Sequence, residues 1–454
     1  MELVLLLILI IIEIGFTVFE FTKNSTKGNW TKQRLFVNII QIVIYVLMLV
    51  FPGIDFSFRF KGLAILLGIR IIIAFIFWMI NRNSSKEKKK SSIIFSSLFS
   101  IVLFITSMAP AFIFADYHGR ELTGPYPVNE CEAILIDPNR RETFEKDGSN
   151  REVPVHFYYP EKMDTISPDS LPLVIFSHGA FGYYQSNAST FMELASHGYV
   201  VVSLDHPYHS FFTKDSSGKT ILVDTEFFQN ALTIGNSNGR EADVYDITSK
   251  WMELRIDDMN FVIDTLKQAG ETEQLSDSWY FDKDSKNTIQ RIIKTVDFDK
   301  IGLIGHSMGG ATSVTVGRRE DISAVIDLDG TMLGEETGVV DGVIQVNDTP
   351  YLTPLLSVDS ESHYTDRLEA QKQGYVYPNN VILENAEQGY ETYIKGAEHM
   401  NFTDLPLFSP FLAKNLGVGT VDPGECIDKV NALVLQFYDC FLKDSETFVV
   451  EESY

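Results

Sequence analysis

The sequence predicts an α/β protein whose mainly parallel sheet is covered by helices on both faces and is preceded by an all-α transmembrane region. Four apolar stretches lie in the first 115 residues, and from residue 117 short β-rich runs alternate with helical runs. Such alternation is typical of a parallel sheet built from strand–helix–strand units. Continuous apolar runs, such as LVIF at 173–176 and YVVVSL at 199–204, indicate strands buried on both faces. We therefore divide the chain into a region of 1–116 and a second domain of 117–454.

The apolar stretches, at about 3–21, 35–51, 62–80 and 93–115, predict four membrane-spanning helices. At 1.5 Å per residue each crosses most or all of a hydrocarbon layer of roughly 30 Å. The first stretch opens with Glu2 rather than with a basic segment, so we interpret it as a retained span and not as a cleaved signal peptide.

The connections between these spans predict an orientation. The first and third connections are rich in Lys and Arg, whereas the second holds only Arg59 and Lys61, offset by Asp55. The positive-inside rule places the two basic connections in the cytoplasm. A multi-pass protein of the cell membrane follows, with both termini and the second domain on the extracytoplasmic side.

Two charged residues fall near the middle of predicted spans, Glu13 in the first and Arg70 in the third. An unpaired charge at that depth is costly. Either the two side chains pair with each other, or each faces a polar pocket or a local water defect.

Charge and cysteine content limit the function classes. Residues 1–115 carry a net charge of +7 (12 Lys and Arg, 5 Asp and Glu) and the remainder −31, which together give the −24 of the whole chain. A domain this acidic repels nucleic acid and anionic headgroups. Cys131, Cys426 and Cys440 match no zinc spacing and cannot all pair, which leaves one disulfide open. We expect no metal and no cofactor.

The second domain carries seven predicted strands, at 133–136, 153–159, 173–177, 199–204, 301–305, 324–328 and 354–358. A long helix is predicted over 242–267 and an amphipathic closing helix over 429–442. The polar segments 207–240 and 271–296 are interpreted as insertions over the rim of the sheet.

The run GHSMG at 305–309 predicts a nucleophile elbow. It comes directly after an apolar strand and before a helical pattern, with a further glycine at Gly310. Small flanking residues allow a turn so sharp that the oxygen of Ser307 stands clear, and the N–H groups of the following helix favour developing negative charge. We therefore predict Ser307 as the nucleophile of an acyl transfer.

Acyl transfer also requires N–H donors for the developing oxyanion. Met308, which follows the nucleophile, is predicted to supply one donor. The second is predicted in the loop after the strand LPLVIFSHG, with Ala180 as first choice and Phe181 as the alternative. His178 in this loop is interpreted as a bracing residue rather than a proton shuttle.

The acid and the base are expected in the order Ser, acid, His. His399 lies in a short GAEH loop before an apolar segment and is the preferred base, with His363 as the alternative. Asp329 lies just past the end of a predicted strand and is the preferred acid. Asp359 is the runner-up, and Asp327, inside the strand, is interpreted as a buried carboxylate.

A competing motif overlaps the acid. The string VIDLDGT at 325–331 is similar to the first motif of haloacid dehalogenase phosphatases, in which Asp327 would be the nucleophile and magnesium the cofactor. That family places the motif on its first strand, whereas most predicted strands of this domain come before it. The phosphatase is therefore kept as a minor alternative.

The residues of the second domain resemble the plasma-type platelet-activating factor acetylhydrolases, which are lipoprotein-associated phospholipases of the α/β-hydrolase superfamily. The likeness covers most of 120–405 and is carried by TGPY at 123–126, FYYP at 157–160, IFSHG at 175–179, ELASHGYVV at 193–201, GHSMGGAT at 305–312, LDGTM at 328–332 and GAEHMNFTD at 396–404. The resemblance implies an α/β-hydrolase fold. It also implies a triad of Ser307, Asp329 and His399, with Ala180 and Met308 as oxyanion donors.

The implied activity is calcium-independent hydrolysis of a carboxylic ester through an acyl-enzyme. The four spans and the insertions depart from the secreted members, so several substrates stay open. They are a short-chain or oxidised phospholipid, another acylated amphiphile, or the ester of a general carboxylesterase, lipase or polyesterase. A catalytically silent membrane sensor or binding protein is the alternative of another class.

Overall fold

The computed structural model describes residues 1–23, 25–51, 53–234, 241–281, 285–445 and 447–454. The chain separates into two compact units. One comprises 1–117 together with 408–412, and the other comprises 118–407 and 413–454.

The first unit is a bundle of four helices, α1 (Glu2–Thr22), α2 (Lys27–Val50), α3 (Phe58–Asn81) and α4 (Lys90–Ile113). Each helix is long and apolar enough to cross a membrane. Buried side chains recur at helical spacing, as at Leu5, Leu9 and Phe16 of α1, while the outward faces expose residues such as Ile80 and Phe95. The surface of the bundle is therefore apolar, which suits a hydrocarbon environment better than water.

The second helix begins eight residues before the predicted start at 35. Its first two turns carry polar residues, so the apolar pattern alone does not reveal them. The side chain of Thr26 caps the helix by accepting a hydrogen bond from the N–H of Asn29. Arg34, which the sequence assigned to a basic connection, therefore lies inside α2.

The predicted ion pair between Glu13 and Arg70 is present, at 3.3 Å between Oε2 and Nη2. Glu13 is fully buried and also accepts a hydrogen bond of 2.6 Å from Nη1 of Arg34. The sequence analysis paired Glu13 with Arg70 alone and omitted Arg34, because the predicted second span began at residue 35 and excluded it.

The second unit alternates strands and helices along the chain. Along residues 118–454 the elements are β1 (Val128–Arg141), β2 (Asn150–Pro160), β3 (Leu171–Ser177), α5 (Ala188–Ser196), β4 (Val200–Leu204), β5 (Phe212–Lys214), β6 (Thr220–Leu222), α6 (Thr225–Ile234), α7 (Glu241–Thr272), β7 (Trp279–Tyr280), α8 (Ser285–Thr295), β8 (Val296–His306), α9 (Met308–Val316), β9 (Ala324–Leu328), β10 (Glu336–Val340), β11 (Val343–Val346), β12 (Leu355–Ser360), α10 (Glu361–Lys372), α11 (Pro378–Glu384), β13 (Gly389–Ile394), α12 (Leu405–Phe408), α13 (Pro410–Ala413) and α14 (Pro423–Leu442). The end of α12 and most of α13, which fall within 408–412, belong to the first unit.

The main sheet has nine strands among the described residues, in the order β13-β12-β9-β8-β3-β4-β2-β1-β7. The six strands from β13 to β4 are parallel to their neighbours, and β2, β1 and β7 pair antiparallel. Side chains alternate between two cores. In β3, Leu173 and Ile175 join the core under α7 and α8, and Val174 and Phe176 join the core under α5 and α14. The mixed α/β fold with a mainly parallel sheet is confirmed.

The segments interpreted as rim insertions contain more structure than predicted. Residues 207–240 hold the hairpin β5–β6 and the helix α6, although 235–240 lie outside the described residues. Residues 271–296 hold β7 and α8, and Ile289, Ile292 and Ile293 of α8 belong to the core. This second segment is therefore part of the scaffold, since the polar outer face of an amphipathic helix had concealed its inner face.

One strand and the state of the cysteines complete the comparison with the sequence-based expectations. The edge strand β13 was not predicted, and its alternating residues are only partly buried. Cys131, Cys426 and Cys440 are free, so the disulfide that the sequence left open does not form.

Candidate active site

The parallel strands converge on one edge of the sheet. Ser307 follows β8, Asp329 follows β9 and His178 follows β3, while β13 leads to a 3₁₀ turn that begins at His399. Because carboxyl ends of parallel strands share an edge, these side chains lie in one crevice. The predicted site residues are thus brought to the same region of the molecule.

Ser307 sits in a strained turn between β8 and α9, with φ 56° and ψ −126°. Its N–H donates to the carbonyl of Leu328 at 2.9 Å, which ties the turn to the neighbouring strand. Gly309 packs against the backbone of Ser177 so closely that any side chain would overlap it. The turn therefore requires glycine and holds the serine in a conformation that few residues adopt.

Asp329 is buried and organises the acid side of the site. Its Oδ2 lies 2.7 Å from Nδ1 of His399, and its Oδ1 accepts a 2.6 Å bond from the N–H of Ser360. Nδ1 of His363 lies 3.2 Å from the same Oδ1. Burial alone would raise the pKa of Asp329, but the hydrogen bonds from His363 and His399 hold that pKa well below its ordinary value. The carboxylate is therefore ionised and paired.

His399 is oriented by its contact with Asp329 and by its own turn. The imidazole is 43% exposed, and its Nε2 makes no hydrogen bond with any described residue. The ring of His306 packs beside it, with centroids 4.5 Å apart, and its Nε2 donates to the His399 carbonyl at 3.1 Å. With Nδ1 directed at the carboxylate, Nε2 is the nitrogen left to act as a base.

The hydroxyl of Ser307 likewise makes no hydrogen bond within the described residues, His399 included. Nucleophile and base hydrogen bonds are often long without substrate and tighten in the complex. Among the described residues, the serine hydroxyl and Nε2 of the imidazole are thus both unengaged, whereas the carboxylate of Asp329 is fixed.

The loop after β3 contacts Ser307. A methyl group on Gly179 would lie 3.0 Å from Cβ of Ser307. The N–H of Phe181 is engaged, because it donates to the carbonyl of His209 at 3.2 Å. The N–H groups of Ala180 and Met308 make no hydrogen bond with described residues, and Met308 begins α9, where first-turn donors are free. The geometry therefore favours Ala180 over Phe181 as the second donor.

A fully buried arginine on α7, which the sequence analysis did not single out, braces this loop. Nη1 of Arg255 donates to the carbonyl of His178 at 2.6 Å, and Nη2 donates to the carbonyl of Gly179 at 3.3 Å. Burial lowers the pKa of Arg255 to about 9, so it stays charged at neutral pH. In the sequence, Arg255 lies three residues after Met252 and four before Met259, a spacing that places it on the same helix face as these apolar residues. Both methionines are buried, so this spacing was the available sign that Arg255 is buried too.

His178 acts on the same carbonyl, consistent with the bracing role predicted for it. Its Nε2 accepts from the N–H of His206 at 3.3 Å, which leaves the proton on Nδ1 to donate to the carbonyl of Gly179 at 2.6 Å. Burial, together with the charge of Arg255, lowers the pKa of His178 well below its ordinary value. The ring is neutral, enclosed and engaged at both nitrogens.

The alternative acid and base are both engaged elsewhere. Asp359 is buried and bonds to Nη2 of Arg367 at 2.5 Å. His363 bonds to Asp329 through Nδ1 and to the hydroxyl of Tyr377 through Nε2 at 3.0 Å, so neither ring nitrogen is free. Ligand atoms of Asp329, Asp359 and His363 lie within 4.8 Å of one another, a spacing that suits a metal, but the guanidinium of Arg367 already balances this group.

Asp327, the nucleophile of the phosphatase alternative, is fully buried. Burial, with the neighbouring carboxylates of Asp359 and Asp329, raises its pKa well above the ordinary value. A fully enclosed carboxyl is out of reach of a substrate, and a raised pKa disfavours the carboxylate form that would attack. The geometry therefore disfavours the phosphatase.

An apolar cluster adjoins the nucleophile. Phe227 of α6 packs with Met308, Met252 and the partly buried Phe181 and Trp251. The rings of Phe227 and Trp251 are 4.9 Å apart in an edge arrangement. Beside a serine, such a cluster offers a wall for an apolar acyl group.

Comparison with known proteins gives consistent findings. The model of the family described as platelet-activating factor acetylhydrolase, isoform II, matches residues 144–452. The platelet-activating factor acetylhydrolase of Bos taurus is 24% identical over 285 residues, which cover 59% of this chain and 56% of that protein. The enzyme of that name from Cavia porcellus is 26% identical over 293 residues, covering 62% of this chain and 59% of the relative. The chain thus spans somewhat over half the length of these curated relatives.

Among solved structures, the chain is similar to a ferulic acid esterase from Streptomyces cinnamoneus. The TM-score is 0.49 at 19% identity, and the alignment covers 73% of this chain and 95% of that one.

Proposed function

This chain belongs to the platelet-activating factor acetylhydrolase, isoform II, family, and on that premise we propose that it hydrolyses carboxylic esters through an acyl-enzyme on Ser307. His399 is the general base and Asp329 the acid that orients it. The observation that carries the proposal is the 2.7 Å bond between Nδ1 of His399 and Asp329, which leaves Nε2 unengaged at the end of the sheet where Ser307 is held on a strained turn.

The proposed reaction has two halves. The Ser307 oxygen attacks the ester carbonyl carbon while Nε2 of His399 takes its proton, and the tetrahedral oxyanion forms. Collapse breaks the bond to the alcohol, which leaves with the proton from His399. Water then attacks the acyl carbon while His399 takes its proton. Collapse breaks the bond between the acyl carbon and the Ser307 oxygen, which regains the proton from His399 as the acid is released. Asp329 stabilises the imidazolium in both halves.

The N–H groups of Ala180 and Met308 are the proposed oxyanion donors. The carbonyl of Gly179 and the N–H of Ala180 belong to one planar trans peptide and point in opposite directions. Because Arg255 and His178 hold that carbonyl, they direct the Ala180 N–H away from themselves. Preorganised donors of this kind stabilise charge without reorganisation.

The proposed substrate is a short-chain or oxidised phospholipid, or another acylated amphiphile. The apolar cluster around Phe227 suits a small acyl group, and the proposed membrane location brings the site to lipids. A general carboxylesterase acting on soluble esters is the second candidate, supported by the partial exposure of His399, which leaves the site accessible from water.

We further propose that α1–α4 anchor the protein in the cell membrane, with residues 117–454 as an extracytoplasmic domain. The apolar outer faces of the helices support the membrane anchor. The Lys and Arg residues of the first and third connections support the orientation. Labelling by an impermeant thiol reagent tests it, with a cysteine introduced at Lys86 or at Lys61 in a protein whose free Cys131, Cys426 and Cys440 are replaced by serine. We expect labelling in intact cells only at the second position.

Activity-based labelling tests the ester hydrolase. Purified protein should react with a fluorophosphonate probe and cleave p-nitrophenyl esters, and Ser307→Ala should abolish both while EDTA changes neither. Activity that survives Ser307→Ala and depends on magnesium would support the phosphatase. A folded wild-type protein that neither labels nor cleaves would support a silent binding protein.

A further inference from the structure

A cavity of about 440 Å³ lies inside the helical bundle, between α2, α3 and α4. Its walls combine cations with apolar side chains. Lys27 and Arg34 come from α2, Arg70 from α3 and Lys88 from the connection before α4, while residues such as Phe77 supply the apolar part. Along α2 the lining runs over 27–38, about 16 Å at 1.5 Å per residue, or half a hydrocarbon layer.

The positive charge of this cavity is only partly balanced. Arg34 and Arg70 share the single carboxylate of Glu13, at 2.6 and 3.3 Å. No acidic residue is among the described residues that line the cavity, and Glu20, the other buried carboxylate of α1, does not line it. Excess positive charge in a medium of low dielectric constant attracts an anion strongly.

Arg70 also has donor capacity to spare. Its side chain is 9% exposed and its Nη2 contacts Glu13, Asn38 and Gln41, but its buried Nε has no partner among the described residues. Within a membrane an unsatisfied donor is costly because no water replaces the missing acceptor. An acceptor in the cavity would remove that cost.

We propose that this cavity binds an anionic phospholipid, with the phosphate near Arg34, Arg70 and Lys88 and an acyl chain along the apolar wall. The inference rests on the membrane-spanning arrangement proposed above and not on ester hydrolysis. A cavity of this volume exceeds what a phosphate ion fills, and its mixed lining matches a headgroup joined to a chain. The phosphate chemistry is shared by a lipid and by the free ion, which the test separates.

Thermal unfolding of the full-length protein in a neutral detergent measures the binding. Phosphatidylglycerol, phosphatidylcholine and inorganic phosphate are added separately at equal concentration. We expect phosphatidylglycerol to raise the unfolding temperature by roughly 2–5 °C, since a ligand of the native state stabilises by mass action, and the other two to change it by less than about 1 °C.

Matched variants locate the effect. The double variant Lys27→Gln, Lys88→Gln removes two cations that line the cavity. The control, Lys86→Gln with Lys89→Gln, removes two cations of the connection before α4 that do not line it. The first pair should lose at least half of the phosphatidylglycerol shift and the second pair should keep it.

An equal shift with phosphatidylcholine, equal losses in both variant pairs, or no shift with any of the three additions would overturn the proposal. A shift produced by inorganic phosphate alone would assign the site to the free ion and not to a lipid. Carbonate extraction of membranes is measured in parallel, because release of the protein there would contradict the membrane arrangement itself.

Discussion

The carboxylate of Asp329 contacts a second histidine: Nδ1 of His363 lies 3.2 Å from the oxygen opposite to the one that meets His399. His363 is in turn bonded to the hydroxyl of Tyr377, which is 3.2 Å from Thr331 Oγ1. This chain of contacts fixes the plane of the carboxylate from the side remote from His399. His363 is therefore a positioning residue in the proposed reaction.

His363→Gln should lower kcat by roughly tenfold, since a hydrogen bond to a charged group contributes about 1.5 kcal/mol. His399→Gln should lower it by about 10⁴-fold, as loss of a triad member does. The hydrolysis of p-nitrophenyl butyrate measures both. Tyr377→Phe, which keeps the ring and removes one contact of His363, is the matched control and should have a smaller effect. Equal losses in the two histidine variants would contradict the assigned roles.

The stability of the second unit should depend on the ionisation of His363. Burial lowers the pKa of His363, but the hydrogen bond to Asp329 and the charge of Asp359 outweigh this and raise it. A histidine whose pKa is higher in the folded state contributes fully to the free energy of unfolding at pH values below its unfolded-state pKa, about 6.5. That contribution is lost as the pH rises through the folded-state pKa. The difference in unfolding temperature between wild type and His363→Gln should thus be largest below pH 6.5 and shrink as the pH rises past the raised folded-state pKa. A difference that grows with pH would refute this coupling.

Arg255 should affect turnover more than binding. Arg255→Met removes both bonds to the loop carbonyls, and we expect kcat to fall roughly 10- to 100-fold, less than the 10²- to 10³-fold cost of deleting an oxyanion donor. KM should change little because the side chain does not face the crevice. Arg255→Lys keeps the charge and one donor and should recover part of the rate.

Circular dichroism and the unfolding temperature identify variants that fail to fold. If folded Arg255→Met protein keeps the wild-type kcat and its activity still depends on Ser307, Arg255 has no role in the mechanism. The proposed ester hydrolysis would be unaffected by that result. Loss expressed only in KM would also argue against a role in orienting the Ala180 N–H.

The fold could be predicted from local patterns, and so could the proposed nucleophile, whereas the bracing groups could not. Ser307 and His399 lie in short motifs whose turn requirements are written in neighbouring glycines and loop residues. Arg255 and Arg34 function through contacts 76 and 21 positions away in sequence, and no local pattern encodes such pairing. The core face of α8 was missed for a related reason, because its three isoleucines stand among polar residues in a short segment.

Phe227 should limit the length of the acyl group. Phe227→Leu shortens the wall beside Met308, and we expect kcat/KM for a hexanoate ester to rise roughly tenfold relative to acetate, as one or two methylenes in an apolar pocket allow. Phe211→Leu, at a side chain 59% exposed and outside the cluster, is the control and should leave the ratio unchanged. A ratio that moves equally in both variants would remove the cluster from acyl recognition.

Glu13 balances two cations, so its neutralisation should be more harmful than the loss of one partner. Glu13→Gln leaves Arg34 and Arg70 buried without a counter-charge, and we expect the amount of protein in the membrane fraction to fall several-fold. Exchanging charges as Glu13→Arg with Arg70→Glu should not restore accumulation, because Arg34 would then face an arginine. Glu13→Gln with Arg34→Gln removes one charge of each sign and should recover more protein than either Glu13→Gln or the exchange.

Quantitative blotting of membrane fractions measures all three, with Lys61→Gln as a control for the loss of an exposed charge. Full recovery by the exchange would mean that Arg34 contributes nothing to the balance.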